Sequence, residues 1–201
     1  MTIGSLIINK GGFHLESNFD KRCIYDLKVI SEFVTHAKGL GLKIVLTQGT
    51  FDMVHIGHAR YLEEAKKHGD ILIVGIDSDE KVRARKGPER PVVPQNERLE
   101  MLTHLRSVDL VFLKELKHPK WSLIKSVRPD VLIAISENYN KKELQELKKY
   151  CGKVTVLDRQ ATTSTSAKLR LLQIGTAKKL GTSLTPRIIK TIEEALEEIK
   201  K

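Results

Sequence analysis

Two histidines three residues apart, His55 and His58, are the side chains best spaced to act together. That spacing puts them on neighbouring parts of one helical turn. They close the stretch Gln48-Gly49-Thr50-Phe51-Asp52-Met53-Val54-His55-Ile56-Gly57-His58. The preceding run, Ile44-Val45-Leu46-Thr47, is apolar and β-branched, and the following run, Ala59 to Lys67, has apolar residues at helical spacing. The pattern predicts strand, glycine turn and helix. A helix N-terminus offers free N–H groups and roughly half a positive charge, and so favours anions. Two imidazole donors added there make a phosphate site.

Other cations could serve the same site. Lys86 and Arg90 belong to the basic stretch Arg83-Ala84-Arg85-Lys86-Gly87-Pro88-Glu89-Arg90-Pro91, expected as a loop. Arg98 opens the next expected helix, and Arg159 precedes the hydroxyl-rich Thr162-Thr163-Ser164-Thr165-Ser166 at another helix start. Lys66, about two turns beyond His58, is a further candidate.

The elements that must hold these residues follow from periodicity. Residues 6–15 read as a hairpin around Gly11-Gly12 or as an arm. A helix is expected from Asp20, as its cap, to about Leu40, with Ile24, Leu27, Ile30, Val34 and Ala37 as its stripe. Ile71 to Ile76 is an almost unbroken apolar run, the pattern of a strand buried on both faces. Asp77-Ser78-Asp79-Glu80 reads as the link that follows it. Helices are expected at Pro94–Arg106, with Leu99, Met101, Leu102 and Leu105 inward, and at Pro119–Val127 and Lys141–Tyr150. Strands are expected at Asp109–Leu113, Val131–Ile135 and Val154–Leu157. Strands alternating with helices at short spacing predict an α/β fold, a Rossmann-like parallel sheet with flanking helices. Such sheets bind ligands at the carboxyl ends of their strands, where the histidine stretch begins.

Beyond the hydroxyl-rich patch, a helix from Ala167 to about Leu172 is expected to break at Gly175, Gly181 and Ser183. A last helix then starts at Thr185-Pro186, with Ile188, Ile189, Ile192, Ala195, Leu196 and Ile199 as its stripe at nearly heptad spacing. That stripe fits either docking on its own domain or a homodimer interface. The expected organisation is an N-terminal arm and helix over residues 1–42, a central domain over 43–173 and a C-terminal helical extension over 174–201.

The 201 residues are 40% apolar and 30% charged, as in a soluble globular protein. No apolar run approaches the roughly 20 residues of a membrane span, and the N-terminus does not resemble a signal peptide. Cys23 and Cys151 are far apart and lack metal-ligand spacing, so a reduced cytoplasmic protein is expected. The net charge of +10 invites an anionic partner. Basic residues are spread among glutamates and aromatic content is only 5%, which argues against a nucleic-acid stacking platform. Triphosphate and a phosphate ester suit the balance better.

Gly49-Thr50-Phe51-Asp52 followed by His55-x-Gly57-His58 resembles the signature of the cytidylyltransferase-like nucleotidyltransferases, with a similarity spanning roughly residues 26–172. It implies transfer of a nucleoside monophosphate from a nucleoside triphosphate to a phosphorylated small molecule, with Mg²⁺ as cofactor and no metal site built from protein side chains alone. His55, His58 and Lys86 are the implied catalytic residues. Gly49, Thr50, Phe51, Gly57, Arg159, Ser164, Thr165 and Ser166 join the histidines in binding the nucleotide. Asp52, Lys86, Arg90 and Arg98 are the implied substrate-binding residues. Arg159 with Ser164-Thr165-Ser166 is similar to the choline-, ethanolamine- and glycerol-phosphate cytidylyltransferases, which favours CTP. Lys86-Gly87-Pro88-x-Arg90-Pro91 is closer to the heptose-phosphate adenylyltransferase branch, which would use ATP. Where heptose and polyol enzymes carry Gly-Gly-Asp-Tyr or Gly-Asp-Asp-Trp after the fourth strand, this chain has Ile135-Ser136-Glu137-Asn138-Tyr139. The alternatives are adenylyl transfer to a sugar phosphate or flavin mononucleotide, and a non-catalytic nucleotide-binding protein.

Overall fold

The apolar runs at 44–49, 71–77, 110–114 and 131–135 become neighbouring strands because each is closed to water on both faces. In a computed structural model, described over residues 18–135, 139–158 and 165–199, they are β2 (Ile44–Gly49), β3 (Ile71–Asp77), β4 (Leu110–Lys114) and β5 (Val131–Ile135). Two more strands, β1 (Cys23–Ile24) and β6 (Lys153–Leu157), flank them. The order is β1-β4-β3-β2-β5-β6, and every pairing is parallel. The expected hairpin or arm at the N-terminus lies outside the described residues.

Period-2 alternation sends successive strand residues to opposite faces. Val45, Leu72, Val74, Val111 and Ile133 join one core with Tyr61, Leu62 and Ala65 of α3 (Ile56–Lys66) and Leu99 and Leu102 of α5 (Gln95–Thr103). Leu46, Ile73, Phe112 and Leu132 join the other with Ile30, Phe33 and Val34 of α2 (Leu27–Gly39) and Leu123 and Ile124 of α6 (Ser122–Val127). Leu147, the last residue of α7 (Lys141–Leu147), completes that second layer.

The chain runs outward from β2 to β3 and β4, then returns to place β5 on the other side of β2. The β2–β5 boundary is therefore the topological switch point, where parallel sheets open a crevice at the carboxyl ends of their strands.

Several elements differ from expectation. The helix expected from Asp20 is divided into α1 (Phe19–Arg22), strand β1 and α2. Asp26, not Asp20, caps α2, accepting from the Lys28 backbone N–H at 2.7 Å. Cys23 and Ile24 pair with Val111 and Phe112, so the sheet edge claims Ile24, which helical spacing assigned to the stripe. The basic stretch begins as helix, since α4 (Asp79–Lys86) runs through Arg83 and Arg85 from a Ser78 cap. Met101 is 49% exposed, because Arg98, Leu99 and Leu102 take the inward face of α5.

The contact pattern divides the chain into Met1–Thr162 and Thr163–Lys201. The second unit holds one 35-residue helix, α8 (Thr165–Ile199), which continues through Gly175, Gly181 and Pro186. Breaks were expected at Gly175, Gly181 and Ser183, and a new helix start at Thr185-Pro186. An interior glycine costs about 1 kcal/mol and an interior proline about 3, and a new helix would have to pay its own nucleation.

Candidate active site

The turn after β2 is shaped by its own side chains. Phe51 and Met53 both adopt positive φ, 51° and 52°. The Phe51 ring folds back over Gly49, where a Cβ would stand 2.9 Å from its Cε2. Glycine at 49 is what lets the buried ring lie against the strand end. His55 then caps α3, its Nδ1 accepting from the Gly57 N–H at 3.1 Å. The N–H of His55 donates to His58 Nδ1 at 3.4 Å, giving a reciprocal capping box built from two histidines. The ring centroids are 4.1 Å apart, and the Phe51 ring lies 5.5 Å from His58. With both Nδ1 atoms accepting, each neutral ring carries its proton on Nε2. The helix start thus gains two further donors beside its own N–H groups.

The turn is tied to the neighbouring strands by ionic and backbone contacts. Arg85 Nη2 donates to Thr50 Oγ1 at 3.0 Å and pairs with Asp77 at 2.8 Å. Asp77, the buried last residue of β3, also pairs with Lys114 at 2.9 Å. Burial depresses the Lys114 ammonium pKa, and Asp77 opposes that shift. Asp52 accepts from the N–H groups of Val92 and Val93 and pairs with Arg90 at 2.8 Å. Lys86 ends α4 and is exposed. Its pKa is lowered, first by partial burial of the ammonium and then by repulsion from Arg85 and Arg90, against attraction from Asp52 and Asp77.

Gly49, Thr50, Phe51, Asp52, His55, Gly57, His58, Lys86 and Arg90 therefore meet at the carboxyl end of β2 and β3. Arg98 does not present itself to a ligand there. Its side chain has no exposed surface, and it donates to the carbonyls of Val93, Thr50 and Asp77 and to the Asp79 carboxylate. Its expected phosphate contact gives way to a buried role beneath the turn. Lys66 sits near the amino end of the sheet, donating to Asp109 and to the Asp70 carbonyl, and so is removed from the histidines. Arg159 and Ser164 lie outside the described residues, as do the side chains of Thr165 and Ser166 at the start of α8.

Arg85, Asp77 and Lys114 escaped the sequence reading. The signal was present, since a charged residue closing a wholly apolar strand must find a partner. Tyr139 is another. Its hydroxyl meets Gln48 Nε2 at 3.4 Å across the switch point, and burial pushes its pKa up to about 12. A separate cleft of about 480 Å³, lined by Ser78, Asp79, Arg83, Gln95 and Lys117 among others, opens at the β3–β4 side, away from the histidines.

No helix among the described residues is long and apolar enough to cross a membrane. A cytidylyltransferase-like family model matches residues 46–195. The Bifunctional protein HldE of Methylobacillus flagellatus is 37% identical over 180 residues, covering 85% of this chain and 36% of that protein. The Bifunctional protein HldE of Aliarcobacter butzleri is 37% identical over 143 residues, covering 70% and 30%. The chain thus spans about a third of the length of these curated relatives. Among solved structures, the lipopolysaccharide core biosynthesis protein from Thermoplasma volcanium superposes with a TM-score of 0.53 at 28% identity, over 59% of this chain and 98% of that one. A pantoate-beta-alanine ligase from Francisella tularensis shares the fold at 16% identity and the same TM-score, over 72% of this chain and 68% of that one. With the histidine-capped helix at the switch point of a parallel sheet, these matches establish that the chain belongs to the cytidylyltransferase-like family.

Proposed function

We propose that this domain transfers the adenylyl group of ATP to a sugar phosphate, releasing pyrophosphate. The observation that carries nucleotidyl transfer is the His55–His58 pair, 4.1 Å between ring centroids at the start of α3, with both Nδ1 atoms held by backbone N–H groups. An oxygen of the acceptor phosphate attacks the α-phosphorus of the triphosphate. The bond from that phosphorus to the α–β bridging oxygen breaks, and its electron pair leaves with pyrophosphate. The acceptor is already anionic, so no base is needed. The protein's task is to align two anions and to stabilise charge growing on the leaving phosphates. His55 and His58 would donate from Nε2 to those oxygens, with the α3 N-terminus behind them. Lys86 and Arg90, beside the same turn, would hold the acceptor phosphate.

Mg²⁺ is the expected cofactor. Asp52 and Asp77 are engaged by Arg90, Arg85 and Lys114, and the described residues bring no three metal-binding side chains together. The ion would therefore be held chiefly by the triphosphate, whose charge it would help to neutralise.

The choice of ATP rests on the relatives. Together with the Lys86–Pro91 loop, they support adenylyl transfer to a sugar phosphate better than the cytidylyl transfer expected from Arg159 and Ser164–Ser166. Pyrophosphate release would be measured with Mg²⁺, ATP or CTP, and a panel of sugar phosphates, glycerol phosphate and flavin mononucleotide. Release with ATP and a sugar phosphate is expected. Release with CTP alone would return the assignment to the cytidylyltransferases. Tight triphosphate binding without release from any pair would favour a binding protein.

A further inference from the structure

Arg85 is tied to the histidine turn by one nitrogen and turns the rest of its guanidinium to solvent. Its Nη2 donates to Thr50 Oγ1 at 3.0 Å and lies 2.8 Å from Asp77 Oδ2. The Arg85 side chain is 57% exposed, whereas that of Asp77 is 2% exposed. Among the described residues, the polar contacts of Arg85 run through Nη2, which leaves the N–H bonds of Nη1 and Nε for a ligand.

Asp77 does not need this cation for charge balance. Lys114, opposite Asp77 in the β3–β4 register, meets the carboxylate at 2.9 Å and is only 14% exposed. One buried carboxylate is thus already matched by one largely buried ammonium. The second cation adds little. Arg85 Nη2 is near Oδ2 but is not aligned with it, and Oδ2 accepts no hydrogen bond from the described residues. An exposed ion contact without a hydrogen bond holds weakly.

The charge of Arg85 is therefore surplus. Around the turn, the cations Arg85, Lys86, Arg90 and Lys114 face the carboxylates Asp52 and Asp77, while Asp79 is taken by Arg98. The crowding is felt by Lys86, whose pKa is lowered first by burial and then by Arg85 and Arg90. A multiply charged anion relieves such repulsion. The Thr50 contact places the surplus charge against the turn that leads into His55 and His58.

We propose that Arg85 binds the leaving phosphates of the triphosphate, and that Lys114 is a positioning residue that neutralises Asp77 and so frees Arg85 for them. The inference rests on the nucleotidyl-transfer reading above and adds two residues to it.

The test is calorimetric titration of the full chain with ATP, AMP, CTP and CMP in the presence of Mg²⁺ and without an acceptor. Arg85→Gln should weaken the triphosphate that the wild type prefers by about 10- to 100-fold, the scale of a charge-assisted hydrogen bond. It should leave the matching monophosphate unchanged. Arg85→Lys should recover part of the loss, since it keeps the charge but not the fork. Lys114→Met should weaken the triphosphate about 5-fold or more, because Asp77 then claims Arg85 as its sole cation. Adding Asp77→Asn to Lys114→Met should restore the affinity. The double variant leaves no buried charge unpaired, and a merely structural role for Lys114 would not be rescued by a second core substitution. Thermal denaturation accompanies each titration. Unchanged triphosphate affinity in Arg85→Gln, or equal loss of triphosphate and monophosphate, would overturn the inference and leave nucleotidyl transfer standing. A Lys114→Met loss that Asp77→Asn fails to restore would overturn the positioning role. A wild type that binds neither triphosphate would overturn both this inference and the reading beneath it.

Discussion

Arg98 Nη1 donates to the carbonyl oxygen of Thr50 at 2.6 Å, from a side chain with no exposed surface. The same guanidinium reaches the carbonyls of Val93 and Asp77 and the carboxylate of Asp79. One buried cation thereby joins the turn after β2, the end of β3, the start of α4 and the loop before α5. The histidine turn is held from beneath by a residue that no ligand reaches.

Replacing Arg98 should therefore act on stability before activity. Arg98→Ala leaves three carbonyls and the Asp79 carboxylate without their donor. Removing one partner of a buried charged network costs about 3–5 kcal/mol. Arg90 is 16% exposed and its partner Asp52 only 2%, but Asp52 keeps the N–H groups of Val92 and Val93 as donors, so Arg90→Ala should cost less, about 1–3 kcal/mol. Urea denaturation of the two variants checks the contrast. Equal losses would mean that Arg98 is not the keystone of the turn.

Gly49→Ala should fail through one identifiable contact. The new Cβ would meet Phe51 Cε2 at 2.9 Å, and Phe51 is buried with φ of 51°. Overpacking of this kind costs about 1–3 kcal/mol. Phe51→Ala alone should also destabilise, since it removes a core ring. Combined, the two should cost less than their sum, because the clash disappears with the ring. A double-mutant cycle by thermal denaturation reads the coupling directly. Simple additivity would mean that Gly49 is needed for another reason.

Alkaline stability should carry the signature of Cys23. Burial, the dominant cause, raises its thiol from an ordinary 9.0 to about 12. The unfolded chain then loses this proton first, so between about 9 and 12 the folded state binds more protons. Stability contributed by the neutral thiol is complete below pH 9 and is lost as pH rises through that window. Cys151, raised to about 11 by burial, adds a slope of the same sign. Cys23→Ala should flatten the decline of unfolding free energy between pH 9 and 10.5. The native Cys23 thiol should also resist alkylation at pH 8, when the protein is folded, and react freely in urea.

Much of this arrangement was legible in the sequence, and the exceptions have physical causes. Val45, Val74 and Ile133 sit in unbroken apolar runs, and those runs are the buried central strands. Gly49, His55 and His58 were legible together because a strand, a glycine turn and a histidine-led helix leave few arrangements. Cys23 and Ile24 were misread because two residues are too few to show a period, and only their pairing with β4 makes them a strand. Arg98 was misread because a charge near a site looks like a ligand contact until burial is known. Asp77 and Lys114 were missed because their partnership joins residues 37 positions apart on neighbouring strands, and no local pattern names the partner. Pro186 looked like a helix start, and only the continuous backbone of α8 shows it to be interior.

The histidine pair should be dispensable for folding and indispensable for turnover. His55 Nδ1 caps the Gly57 N–H, and the N–H of His55 is answered by His58 Nδ1. Loss of either cap costs about 1 kcal/mol, small against the two cores that flank the sheet. The loss of an Nε2 donor aimed at a departing phosphate is larger, about 10²- to 10³-fold in kcat. His58→Ala should therefore fold, melt a few degrees lower, and turn over at least a hundredfold more slowly with whichever triphosphate and acceptor the wild type uses. His55→Ala should behave alike. The double variant should lose less than the product of the two, because the rings support the same charge and position each other at 4.1 Å. Steady-state pyrophosphate release alongside calorimetry separates the two effects. A His58→Ala variant with wild-type kcat and an intact fold would remove these imidazoles from the chemistry.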